Sequence, residues 1–392
     1  MKNMRGVRIR IRPPPTEVNP MALAFDIDRA VFEAALAGAQ NIAQKRSPAQ
    51  LLTNVRLETT KGGVRLFATD YDVSLTREVP ADIRVAGTAA LPAKVLHDIV
   101  RKAAGDRVSL EVDDKHQGVL KAGSRSKYKL VGLDPDDFPE TPKIKADPAL
   151  ELDRADFVHW LRKTIFASST DEARASLAGV FLEAAEDPAG LRFVSTDTHR
   201  LALMEVGGIQ ASGILPPDGV ILPRKALQEL LKVLGGEGVL RLSVDGPQVR
   251  VAWDETVFIF RTVEGRFPSY RTVIPEAPAR KAVLNREAFE KALDRVSLVI
   301  TERYKSVLMR FDSDTLTLIA KNPDMGEGEE QIDCVFEGEP LEVGFNAAYV
   351  QEALAEIAEA SVELRLTDDV SPAILRGEGD DGYLNVVMPM RI

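Results

Sequence analysis

The sequence predicts an α+β protein built from three tandem copies of one domain, each with two helices packed on short-stranded antiparallel sheets. Three observations predict it: a helix start that recurs three times, a second recurring segment in which a strand runs into another helix, and a nearly constant spacing between copies. DRAVFEAAL (28–36), DRADFVHWL (153–161) and NREAFEKAL (285–293) each open on a polar residue and continue with apolar residues at helical spacing. LPAKVLHDIV (91–100), LPRKALQELL (222–231) and FNAAYVQEAL (345–354) place a strand-ending apolar pair before a second amphipathic helix. LFATDYDVSL (66–75), FVSTDTHRLA (193–202) and LIAKNPDMGE (318–327) form a third set, and the strands RVSLEV (107–112), LRLSVD (240–245) and VELRLT (362–367) a fourth. The helix starts Asp28, Asp153 and Asn285 lie 125 and 132 positions apart, and Leu91, Leu222 and Phe345 lie 131 and 123 apart. Proline-rich stretches at 136–148 and 266–280 mark the boundaries, so the expected domains are 21–146, 147–274 and 275–392.

Composition narrows the function classes. A single cysteine, Cys334, excludes an internal disulfide and a cysteine zinc cluster, and fits a reducing cytoplasm. His97, His116, His159 and His199 lack metal-ligand spacing, so neither metal nor cofactor is expected. The first three of these read as surface or satisfied polar residues, and Trp160 and Trp253 as core or sheet-face aromatics. No apolar run approaches the ~18 residues of a membrane span, and no apolar stretch follows the basic start as in a signal peptide. Residues 1–20 alternate apolar and basic before three prolines. They read either as a basic arm on nucleic acid or as a loose extension ahead of the first domain.

The net charge of −10 argues against a nucleic-acid partner only if charge is spread evenly. Three similar domains joined head to tail leave an unpaired sheet edge at each end, and such heterologous contacts close into rings or grow into filaments. Two chains would close a homodimeric ring of six domains, lined by twelve helices. At about 8–10 Å per helix the hole is roughly 30–38 Å across, wide enough for a duplex. Bases on the predicted helices fit such a lining: Lys94, Arg101 and Lys102; Arg154, Arg162 and Lys163; Arg224, Lys225 and Lys232; Arg286, Lys291 and Arg295. They equally fit an ordinary solvated helix face, and Glu352, Glu356 and Glu359 break the pattern in the last helix.

VVMPMRI (386–392), RFPSYRTVIP (266–275), STDTHRLAL (195–203), ILPRKAL (221–227) and FNAAYV (345–350), on top of the threefold repeat, carry a resemblance. From about Met21 to Ile392 the chain resembles the bacterial DNA polymerase III β sliding-clamp family. The resemblance implies three DNA-clamp domains, a head-to-tail homodimeric ring with six-fold pseudo-symmetry around double-stranded DNA, and no catalysis. It implies a pocket for short peptides of the polymerase III alpha subunit, the clamp-loader delta subunit, other DNA polymerases, and mismatch-repair and replication-regulation proteins. Carried over, that pocket would use Leu177, Thr196, Thr198, His199, Arg200, Leu201, Pro268, Val273, Asn346, Tyr349, Val386, Met388, Pro389, Met390 and Arg391. Flexible, polarizable methionines suit a surface that accepts several partners. For DNA the resemblance points to Arg46 and Arg224, with Lys225, Arg174 and Lys305 added on charge; for the ring seam, Tyr128 on the edge strand 125–130 faces Leu298 and Val299, unless all three fill their own cores. The chain departs from the family at Thr198, where glycine is usual, at Thr272, where arginine is common, and in RSPAQLLTNV (46–55), which lacks a usual proline.

Two other functions compete. A hydrolase would use Ser195 or Thr196 with His199 and an aspartate, but no G-x-S-x-G elbow or Walker loop is present, and repeat one carries the same Thr-Asp frame. A protein-binding scaffold without DNA is the other. A second-copy clamp with an altered pocket is a variant of the main expectation.

Overall fold

The computed structural model describes residues 21–43, 49–123 and 125–391. Each repeat runs strand, helix, three strands, strand, helix, three strands, with a short extra strand Asp82–Val85 in the first and Pro389–Met390 in the third. The helices are α1 (Arg29–Ile42), α2 (Ala93–Lys102), α3 (Arg154–Ile165), α4 (Arg224–Val233), α5 (Arg286–Val296) and α6 (Ala347–Ala355). All four sequence sets fall where the repeat predicts, and the third set is in every copy a strand–turn–strand.

The recurring helix start has a physical cause. Asp28, Asp153 and Asn285 cap α1, α3 and α5, each side chain accepting backbone N–H groups of the first turn. Phe32, Phe157 and Phe289, four residues on, and Leu36, Leu161 and Leu293, eight on, are fully buried on one face of each helix. The arginine after each cap is also structural. Arg29 Nε donates to Gly105 O at 3.0 Å, Arg154 Nη1 to Gly235 O at 3.4 Å, and Arg286 Nε to Glu359 O at 3.2 Å. In every repeat this arginine ties the first helix to the loop after the second.

That corrects the helix-face reading for several bases. Arg154 is 7% exposed and its Nη1 lies 2.9 Å from Asp254, while Lys163 is 4% exposed with its ammonium 4.2 Å from the Tyr383 ring centre. Arg286, Lys291 and Arg295 pair with Glu290, Glu287 and Glu330, Lys232 with Glu229, and Arg101 with Asp98. Lys94, Lys102 and Arg162 are exposed. His97, expected at the surface or satisfied, is 5% exposed, and its Nδ1 has no hydrogen-bond partner.

Pairing also repeats. The opening strand of each copy lies antiparallel to the first strand after the second helix: Met21–Asp28 with Arg107–Asp113, Leu150–Asp153 with Val239–Asp245, Arg280–Asn285 with Ser361–Leu366. By contacts the chain divides into two compact units. One holds the described residues before Tyr71 together with Leu75–Glu140; the other holds Tyr71–Ser74 and the chain from Thr141 on. In the first unit Ser126–Val131 closes a five-stranded sheet as an edge, with Tyr128 and Val131 exposed. In the second, repeats two and three share one sheet, because Arg200–Gly207 pairs antiparallel with Tyr383–Val387. Among the described residues no helix is long and apolar enough to cross a membrane.

The third repeat contains a buried charge cluster. Glu363, 2% exposed, meets Lys281 at 3.2 Å and Arg365 at 2.8 Å, and also pairs with Arg376. Burial pushes its carboxyl pKa up, but the hydrogen bonds from Arg376 and Lys281 outweigh this and hold it below the usual range. A depressed carboxylate pKa stabilises the fold above the unfolded value and loses that contribution as pH falls. Stability is therefore expected to drop below about pH 4.3. Glu363→Gln is expected to lose about 3 kcal/mol at neutral pH and to flatten the acid limb of the urea midpoint against pH. An unaltered acid limb would show that the cluster is not linked to folding.

Candidate functional site

The site grows from the turn between Ala189–Thr196 and Arg200–Gly207. Asp197 Oδ1 accepts the N–H groups of His199 at 2.9 Å and Arg200 at 3.1 Å, and its Oδ2 accepts Arg200 Nε at 3.1 Å. The Thr196 hydroxyl donates to Arg200 O at 2.6 Å and accepts the Thr198 N–H at 3.1 Å. This closed Asx-type turn accounts for the Thr-Asp frame. It forces Thr198 to φ +80°, and repeat one holds Tyr71 at φ +77° in the matching place. A β-branched residue there costs on the order of 1–3 kcal/mol.

These bonds remove the hydrolase reading. Ser195 is fully buried with its hydroxyl 3.4 Å from Gly179 O, Thr196 is engaged with Arg200, and Asp197 is held by Arg200 rather than by an imidazole. The polar run Ser195–Arg200 is a structural turn.

The sheet shared by repeats two and three sets Leu201 directly opposite Val386. With the 3-10 turn Tyr270–Val273 they surround an apolar well of about 160 Å3. Of the residues expected in the pocket, Thr196, Thr198, Arg200, Leu201, Pro268, Val273, Val386 and Met388 line it. Ser269 and Tyr270 also line it and were not foreseen, although both sit inside RFPSYRTVIP. The Tyr270 hydroxyl donates to Glu183 at 2.6 Å, and burial together with that bond raises its pKa, so it remains a donor that fixes the turn.

The remaining expected residues lie outside the well. His199 and Tyr349 stack nearly parallel, ring centres 6.4 Å apart, and the Met388 N–H donates to His199 O at 2.9 Å. Asn346 caps α6, and Pro389 and Met390 pair with Phe345 and Gly344. Leu177 is buried and its carbonyl accepts the Ser169 N–H, while Arg391 is exposed. Arg200 joins the two groups. It reaches Glu352 at 2.8 Å and Phe166 O at 2.9 Å, with its guanidinium 4.5 Å from the Tyr349 ring centre. Glu352, which broke the basic helix pattern in sequence, is thus the partner of Arg200.

The bases expected on DNA separate. Arg174 is an exposed residue whose Nη1 lies 3.4 Å from Thr198 Oγ1, which sets it beside the rim of the well. Arg224 Nη1 donates to Ile165 O, Ser168 O and Ser168 Oγ at 2.9–3.0 Å, so this nitrogen fastens the segment after α3 and is not open to a phosphate. Lys225 is exposed at the start of α4, and exposed Lys305 lies 3.3 Å from Glu302. Arg46 lies outside the described residues. Of the seam candidates, Tyr128 is 38% and Leu298 76% exposed, so neither fills its own core; Val299 is partly buried against the core of repeat three.

A second, larger cavity of about 850 Å3 shares Pro268–Tyr270 with the well, and the stacked rings of Phe181 and Phe267 are in its lining. Nothing in the sequence pattern announced it. Among the described residues no group of three His, Cys, Asp or Glu side chains is placed to hold a metal ion.

Comparison with known families matches the N-terminal, central and C-terminal domain models of the DNA polymerase III beta subunit to residues 23–142, 151–269 and 271–391. The chain belongs to the DNA polymerase III beta subunit family. A beta sliding clamp of Caulobacter vibrioides is 33% identical over 94% of this chain and 100% of its own length. One of Pseudomonas putida is 31% identical over the same shares. Among solved structures, a sliding clamp from Bartonella birtlesii bound to griselimycin superposes with a TM-score of 0.90 at 33% identity, covering 94% of this chain and all of the other. The three family domains correspond to the three repeats, and the well of this beta-subunit chain lies where the central and C-terminal ones meet.

Arg200→Ala is expected to destabilise the second unit by about 3 kcal/mol, because Asp197 and Glu352 lose their shared partner. Arg200→Lys is expected to recover only part of this, since an ammonium cannot make the forked contacts. The urea midpoint of the transition checks both.

Proposed function

We infer that two copies of this chain close head to tail into a ring around double-stranded DNA and tether partner proteins by short peptides seated in the well. The protein is a sliding clamp of DNA polymerase III with no catalytic chemistry of its own. The observation that carries this is the tandem match of three beta-subunit domains over nearly the whole chain, taken here as 21–146, 147–274 and 275–392.

An acidic protein can hold DNA this way because the ring, not adhesion, provides retention. Contacts are to phosphate, weak and independent of sequence, and weaken with salt. Lys225, Lys305 and Arg46 are the proposed contacts, joined by exposed Lys94, Lys102 and Arg162. Tyr128 and Leu298 are proposed on opposite sides of the ring seam, with Val299 beside the latter. The polymerase alpha subunit, the clamp-loader delta subunit, other polymerases, and repair and regulatory proteins would each insert an apolar side chain into the well. The His199, Tyr349, Asn346, Met390 and Arg391 group would take the polar part of the peptide. A clamp acting on bacterial chromosomal DNA would work in the cytoplasm.

On closed circular DNA the dimer is expected to remain bound through gel filtration and to be lost once the circle is cut. Retention on linear DNA with free ends would rule out topological binding. Deleting residues 388–392 removes Met388 from the well and is expected to abolish polymerase stimulation while the dimer persists. Full stimulation by the truncated protein would exclude the well as the partner site.

A further inference from the structure

We propose that Thr198 limits the well to a single apolar side chain, making this residue the size filter for partner peptides. The inference rests on the well being the peptide site and adds what that site accepts. An apolar cavity of about 150 Å3 holds one benzene-sized guest. The well, at about 160 Å3, has room for one leucine or phenylalanine side chain and not for two neighbours.

Thr198 stands in the wall of that well at φ +80°. The left-handed backbone is imposed by the turn, since repeat one shows φ +77° at Tyr71. Glycine adopts this conformation without steric cost, whereas a residue branched at Cβ does not. The chain thus keeps a side chain where the backbone favours none. The side chain is also held. Its hydroxyl lies 3.4 Å from Arg174 Nη1, its own N–H is bound by Thr196 Oγ1, and threonine is stiff at χ1. A flexible neighbour such as Met388 can yield to a guest; Thr198, with one stiff torsion on a backbone fixed by the turn, has no room to withdraw. Exposed Arg174, whose Nε is 3.7 Å from Asp171, adds a cation at the rim. The peptide favoured is one apolar anchor flanked by a residue whose carboxylate or carbonyl can accept from Arg174.

The test compares full-length wild type, Thr198→Gly and Thr198→Ser by fluorescence anisotropy. Two labelled hexapeptides are used: one with a single leucine among polar residues, and the same peptide with leucine followed by phenylalanine. Wild type is expected to bind both with similar affinity, because the second side chain finds no room. Thr198→Gly, which suits the turn, is expected to tighten the leucine–phenylalanine peptide by about tenfold, the scale of added apolar contact in a pocket, and the single-leucine peptide by less than about threefold. Thr198→Ser, without the methyl, is expected to fall between. Equal effects on both peptides, or none, would overturn the size filter while leaving the peptide site standing. No binding of either peptide to any of the three proteins would overturn the site itself, and the filter with it.

Discussion

The antiparallel ladder between Arg200–Gly207 and Tyr383–Val387 is the constraint on which the candidate site depends. It fuses repeats two and three into one sheet and places Leu201 against Val386, each almost fully buried. Burial of two such side chains contributes about 1.5–3 kcal/mol each, so the junction is part of a core and not a loose domain contact. Lys163 lying over the Tyr383 ring and Arg200 reaching Glu352 reinforce the same junction from both flanks. A well framed by a sheet junction is rigid at its floor, which leaves adaptability to the methionine near the chain end and to the rim.

Arg200 both lines the well and holds its surroundings together. Its forked head is shared among Asp197, Glu352 and the Phe166 carbonyl, and its plane lies near the Tyr349 ring. It therefore holds the two halves of the site at a fixed separation. The arginine after each first-helix cap serves a comparable purpose inside the repeats, where its side chain adds to the backbone bond that its own N–H makes to the loop after the second helix. Arginine suits both tasks because its planar fork satisfies several acceptors in fixed directions.

The distribution of bases reconciles an acidic chain with a DNA partner. Buried bases such as Arg154 and Lys163 belong to the fold and are unavailable. Exposed pairs such as Lys291 with Glu287 and Lys232 with Glu229 are worth roughly 0–1 kcal/mol, little enough for a phosphate to compete. Helix faces with such bases, turned to DNA as proposed, would neither grip nor repel a polyanion strongly, as sliding requires.

The sequence by itself determined the threefold repeat, its helices and strands, because caps, buried phenylalanines and helical spacing are local and recur in each copy. It also located most of the well, since RFPSYRTVIP, the Thr-Asp turn and the C-terminal methionines each lie within one short segment. What it could not assign was the partner of a long side chain. Arg154, Arg174, Arg224 and Lys163 look alike as exposed helix or loop bases in one dimension. Only the tertiary structure decided that one is a loop staple, one a rim residue, one a helix-end fastener and one a ring-covered ammonium. The physical reason is reach: these partners lie tens to hundreds of residues away, and the flexible stems of arginine and lysine choose among them only after the sheets have set the distances.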